Sequence, residues 1–221
     1  EDRVMYSSKD GLPGHSPEIE LTLQETIPLV SQSVKVKDLL PTDDATVVFQ
    51  APNSNFGMSK ELETDANNGG MRHFLLRFDA TDIPRGEVKS AVLRIYSTNK
   101  DPAFGGTFVE ATNTNWNEGD VTWSNAPDGD GKVLGSLMEV EYGTWHTIDV
   151  TPAVIGGSAI AFRVSSPHTS MASYGSKESD DSPKLIVQYS PPEPTPEGFE
   201  VYLASDDASI LMDKPNGNFG R

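Results

Sequence analysis

The sequence predicts an all-β protein: a jelly-roll-type antiparallel β-sandwich set in a tandem-repeat array. Three observations carry this reading. Apolar residues alternate at period two over five short segments. Turn clusters separate these segments, drawing on 19 glycines and 16 prolines in 221 residues. Two residue clusters recur near the C-terminus at one fixed spacing.

Taken in order, residues 1–24 read as the C-terminal fragment of a preceding repeat. Tyr6, Lys9 and Ser16-Pro17 recur as Tyr174, Lys177 and Ser182-Pro183. Residues 25–38 form a linker whose Ile27, Leu29, Val30, Val34 and Val36 suit packing on a neighbour or an added edge strand. Residues 39–189 make one complete sandwich repeat, of ordinary domain size. Its opening carries Asp43-Asp44-Ala45 and Asn53-Ser54-Asn55-Phe56-Gly57, which recur as Asp206-Asp207-Ala208 and Asn216-Gly217-Asn218-Phe219-Gly220. Both pairs of clusters are 163 residues apart.

The strand pattern within the repeat is explicit. Phe74, Leu76 and Phe78 share one face of Arg72–Phe78, with His73, Leu75 and Arg77 on the other. Val88–Tyr96, Trp145–Val150, Ala159–Val164 and Leu185–Tyr189 alternate in the same way. Asn67-Asn68-Gly69-Gly70, Pro84-Arg85-Gly86, Asp128-Gly129-Asp130-Gly131 and Gly156-Gly157 supply turns. A short helical turn fits Thr151–Ile155, and no long helical period exists, so a sandwich or jelly roll follows. Residues 190–198 (SPPEPTPEG) make a Pro-rich extended linker, and residues 199–221 read as the N-terminal fragment of a following repeat. A partial repeat cannot bury its own apolar face. Neighbouring copies, joined head to tail, are therefore the expected partners.

Charge and composition narrow the function. A formal net charge of −16 repels nucleic acid and anionic lipid and attracts cations, calcium above all. The chain has no cysteine, which excludes disulfides and thiolate chemistry. No apolar stretch approaches a membrane span, so no membrane insertion is expected. The chain starts at Glu1, which reads as a mature or excised segment. There is no nucleophile elbow, His-Glu-x-x-His or phosphate loop, and His15, His73, His146 and His168 are scattered singly. The chain is not expected to be an enzyme.

Asp-Asp-Ala-Thr-Val, Asn-x-Asn-Phe-Gly, Arg77-Phe78-Asp79, Ile83-Pro84 and the strand AVLRIY follow one another in order. After them come Trp116-Asn117-Glu118, the stretch VTWSNAP (121–127), Asp149-Val150-Thr151 and the Ser176-Lys177-Glu178 to Pro183-Lys184-Leu185 ending. This ordered set, over residues 39–189, resembles the DNRLRE domain, which overlaps carbohydrate-binding module family 96. The eponymous motif itself is absent. The resemblance implies a jelly-roll sandwich in an extracellular or cell-surface protein, with bound calcium unsurprising. It also implies that some members bind acidic polysaccharide.

For a structural calcium, Asp43, Asp44, Asn53 and Asn55 supply oxygens at the start of the repeat, and Ser176 and Glu178 would close the shell. The competing reading of Asn55-Phe56-Gly57 is a turn held by an Asx hydrogen bond. Asp79 and Asp149 are expected to brace the turns after their strands. Among the tryptophans, Trp116 lies in the polar run NTNWNEG and is the expected exposed ligand platform, with Trp123 and Trp145 expected in packing. Two functions follow. The preferred one is a non-catalytic structural repeat of an extracellular fibre, sheath or adhesin. The alternative is a module that binds a cell-wall or matrix polysaccharide, with acidic polymers opposed by charge unless calcium bridges the two.

Overall fold

The structure, a computed structural model, describes residues 33–191. The repeat fragments read at residues 1–24 and 199–221, and the Pro-rich linker save its first residues, lie outside the described residues. Among the described residues there are eleven strands: β1 (Lys35–Leu39), β2 (Pro41–Val48), β3 (Glu61–Thr64), β4 (Arg72–Asp79), β5 (Val88–Ser97), β6 (Ala103–Ala111), β7 (Gly129–Val140), β8 (Thr144–Asp149), β9 (Ala159–Ser165), β10 (Ala172–Gly175) and β11 (Lys184–Tyr189). The only helical element among the described residues is a 3-10 turn at Thr151–Ala153.

Every strand pairing is antiparallel. One sheet runs β1-β11-β5-β10-β3, with β8 also paired to β5; the other runs β2-β4-β9-β6-β7. The five alternating segments of the sequence are β4, β5, β8, β9 and β11. All but the last residue of β1 lies inside the stretch read as linker. It adds an edge strand to β11, with Lys35 opposite Tyr189, so the sheet begins before residue 39. The Asp128–Gly131 cluster is not a free turn but the start of β7, where the ladder to β6 is irregular.

The two sheets share one core. Phe74, Leu76 and Phe78 of β4, with Phe162 and Val164 of β9, meet Leu93 and Ile95 of β5 and Leu185 and Val187 of β11, all fully buried. Phe74 packs against Tyr174 of the opposite sheet, with ring centroids 5.6 Å apart. The Tyr174 hydroxyl donates to the carbonyl of Gly105 at 2.6 Å. A Cβ at Gly105 would lie 2.6 Å from that hydroxyl, so only glycine admits the contact.

The second sheet also buries its outer face. Ala45, Val47, Leu75 and Ala161 point away from the main core. Trp116 and Val121, from the segment between β6 and β7, close over them, with Trp123 and Ala126 packed alongside. Residues 112–128 thus form a roof. This explains why both faces of β4 are apolar: Leu75 is as buried as Phe74.

Asp79 and Asp149 brace turns in the same way. Each carboxylate accepts from the backbone N–H and the hydroxyl of the threonine two residues on, Thr81 or Thr151. Those hydrogen bonds hold both carboxyls below their ordinary range.

Candidate functional site

Two arginines on the outer face of the second sheet hold the roof down. Arg77 of β4 pairs with Asp43 at 2.7 Å and donates to the Trp116 carbonyl at 3.0 Å. Arg163 of β9 donates to the Pro127 carbonyl at 2.6 Å and stacks over Trp123, 5.4 Å from the ring centroid. Arg163 also donates to Nδ1 of His73, so that imidazole accepts and stays neutral. Burial, then the nearby guanidinium, pushes His73 down to about 4.

The Asn-x-Asn-Phe-Gly motif is the clasp. Asn55 Nδ2 donates to the carbonyls of Glu118 and Val121 at 2.6 and 2.7 Å, while its Oδ1 accepts from the Gly57 N–H. A Cβ on Gly57 would stand 2.1 Å from the Glu118 carbonyl oxygen, so the motif needs glycine there. Asn53 accepts from the Ser124 hydroxyl at 3.1 Å. Asp43 also accepts from the Glu118 N–H at 3.2 Å. Asp43, Asn53 and Asn55, expected as calcium ligands, are thus engaged in fastening the roof.

Asp44, Ser176 and Glu178 do come together, beside Glu118. One carboxylate oxygen from each of Asp44, Glu118 and Glu178 lies within 4.8 Å of the others. Lys177 Nζ bridges Glu118 at 2.9 Å and Glu178 at 2.7 Å, and the Lys177 backbone N–H donates to Asp44 Oδ2 at 2.6 Å. The Ser176 hydroxyl donates to Glu178 Oε2 and accepts from the Glu178 N–H. The hydrogen bonds to Glu178 and Glu118 hold the Lys177 ammonium above its ordinary range. Burial, followed by the Glu178 and Glu118 charges, pushes Asp44 up to about 8.

Trp123 packs in the roof as expected, whereas Trp116 and Trp145 exchange the exposures expected of them. Trp116 retains only 9% of its surface, because the polar residues around it face outward while its ring fills the roof. Trp145 is 36% exposed. It stands on the outward face of the first sheet, opposite Tyr96, with ring centroids 5.2 Å apart. Arg94 lies over the same indole at 4.9 Å. Register places Lys184 and Thr147 on either side of Arg94 on that face. A cleft of 520 Å³ is lined by both polar and apolar residues, among them Glu61, Thr98, Asn99, Pro102, Ser170 and Met171.

The profile of carbohydrate-binding module family 96 matches residues 35–189, most of the chain. The chain belongs to that family. The match begins where β1 begins and ends where β11 ends. The module also resembles a gellan lyase from Bacillus sp., at 28% identity over 187 residues covering 76% of this chain. The chain spans only about 7% of that lyase's length. A carbohydrate-binding module is a non-catalytic unit, so the relative's activity does not transfer with so small a segment. These matches fit the polysaccharide-binding alternative better than the fibre repeat first preferred, and give head-to-tail self-association no support.

Sequence reading of the module missed Glu118 and Trp145. Glu118 sits beside the noted Trp116, but nothing local shows that its chain segment folds back onto β2. For Trp145 a signal existed. The alternation of β8 puts Trp145, Thr147 and Asp149 on one face and His146 and Ile148 on the other, and both companions of Trp145 are polar.

Proposed function

We propose that this chain is a non-catalytic carbohydrate-binding module that docks an extracellular polysaccharide on the outward face of its first sheet, with Trp145 as the stacking platform. Membership of carbohydrate-binding module family 96 carries the reading. The resemblance of this segment to part of a gellan lyase is consistent with a module that holds an enzyme or a surface protein on its polymer.

The chemistry of the face supports the assignment. An indole gives a broad apolar surface for the C–H face of a sugar ring and a polar edge for a hydroxyl. Tyr96 and Arg94 pack against Trp145, which limits its rotamers and lowers the entropy lost on binding. Arg94 and Thr147 beside it, and Lys184 across β5 on the same face, offer donors for sugar hydroxyls or carboxylates. β5, which carries Tyr96 and Arg94, is paired with β11 on one edge and β8 on the other, so the side chains that brace Trp145 stand on an interior strand. The jelly-roll connectivity implied by the resemblance belongs to the same reading, since it presents a sheet face to a polymer chain.

Affinity electrophoresis of the full chain against neutral and acidic polysaccharides tests the proposal. Retardation by at least one polymer, lost in Trp145→Ala, is expected. Unretarded migration in every polymer would overturn it.

A further inference from the structure

We propose that Asp44, Glu118 and Glu178 form a binding site for a divalent cation of the hard, oxygen-seeking class, with calcium the best fit. The site is separate from the glycan face and is built from β2, the roof segment and the turn between β10 and β11.

The first observation is convergence. A cation with oxygen ligands at about 2.3–2.6 Å keeps any two of them within roughly 5 Å. The three carboxylates each bring an oxygen within 4.8 Å of the others. The second observation is independent of the cluster's acidity. Asp44 is fully buried, and its Oδ1 has no hydrogen-bond partner. Glu118 Oε2 is also buried and unpartnered. Buried acceptors without partners are rare and costly, more so when charged.

Lys177 does not account for the cluster. Its ammonium is held by Oε1 of Glu118 and Oε1 of Glu178, which leaves the two unpartnered oxygens unmet. Three carboxylates and one ammonium leave two formal negative charges. A dication cancels those charges and supplies the missing partner to both oxygens. The alternative partner is a proton carried by either carboxyl. A proton satisfies the oxygens but gives no metal binding, so the two accounts separate in the test.

Such a cation would tie the roof to the strand edge. Glu118 belongs to the segment covering the second sheet, and Asp44 belongs to the sheet it covers. Binding would therefore add stability to the native state without touching the Trp145 face.

Calorimetric titration of the metal-stripped full chain with calcium chloride, paired with melting curves in calcium and in chelator, decides the matter. One saturable site and a Tm higher by ~5–10 °C at about a hundredfold excess over Kd are expected. Asp44→Asn should abolish both, with the remaining surface carboxylates intact as a control for diffuse binding. If Asp44→Asn does not fold, Glu118→Gln serves, at a position 20% exposed, and should weaken binding at least tenfold. Absence of a saturable site, an unchanged Tm, or a folded variant that binds calcium as tightly as the parent would overturn the proposal.

Discussion

The two outer faces of the sandwich differ in one respect: the second sheet has a roof and the first, among the described residues, does not. On the second sheet, residues 112–128 bury Trp116 and turn Leu75 and Ala161 into a small core. On the first sheet, Tyr96 and Trp145 remain on the surface, braced only by each other and Arg94. The contrast separates two uses of tryptophan. Under the roof an indole contributes stability, and on the bare face it is available to a ligand at little cost to the fold.

Trp116→Ala should give the largest effect. It removes a buried ring from the roof, and a loss of roughly 3–5 kcal/mol is expected in urea unfolding. A loss below about 1 kcal/mol would mean that the roof is not a packed layer.

Acid should weaken the roofed face next. His73 is held neutral, down to about 4, beneath Arg163 and Trp123. The unfolded chain protonates it near the ordinary value of about 6.5. Its contribution is therefore intact above about 6.5 and is lost as pH falls from there to about 4. The full loss is ~3 kcal/mol. Urea unfolding of the parent and of His73→Gln at pH 7 and pH 4.5 isolates this residue. The parent should lose more stability than the variant, and parallel losses would contradict the assignment.

Asn55→Ala tests the clasp. It strips the donors from two roof carbonyls, and about 2 kcal/mol should be lost. The same variant should bind glycan as the parent does, because the first sheet is untouched.

Trp145→Ala should have the smallest effect on stability, under ~1 kcal/mol, and the largest on binding. A fall of at least tenfold in glycan affinity is expected, which corresponds to about 1.4 kcal/mol. A large drop in Tm with unchanged binding would reverse the roles of the two faces.

Much of the fold was legible because alternation in β4, β5, β8, β9 and β11 is a local property. β6 and β7 were not, since Gly105, Gly106, Gly131 and Gly135 break their pattern and the long roof segment between them looks like ordinary loop. The site was legible only in part. Asp44, Ser176 and Glu178 were marked as oxygen donors, and they do converge. Asp43, Asn53 and Asn55 were marked with them but fasten the roof instead, because their neighbours in space, Arg77, Ser124 and Glu118, lie far along the chain. Trp116 was misplaced for the same reason. The polarity of NTNWNEG describes the outside of the roof, while the ring lies beneath it.

The most direct measurement uses the three tryptophans of the chain as reporters. In a two-dimensional proton–nitrogen NMR spectrum each indole N–H gives one signal. On titration with a polysaccharide fragment from the electrophoresis screen, the account predicts that the Trp145 indole signal shifts and saturates while the Trp116 signal stays in place. A static Trp145 signal, with shifts gathered instead at Trp116 or along residues 98–103, would contradict the assignment of the bare face as the binding surface.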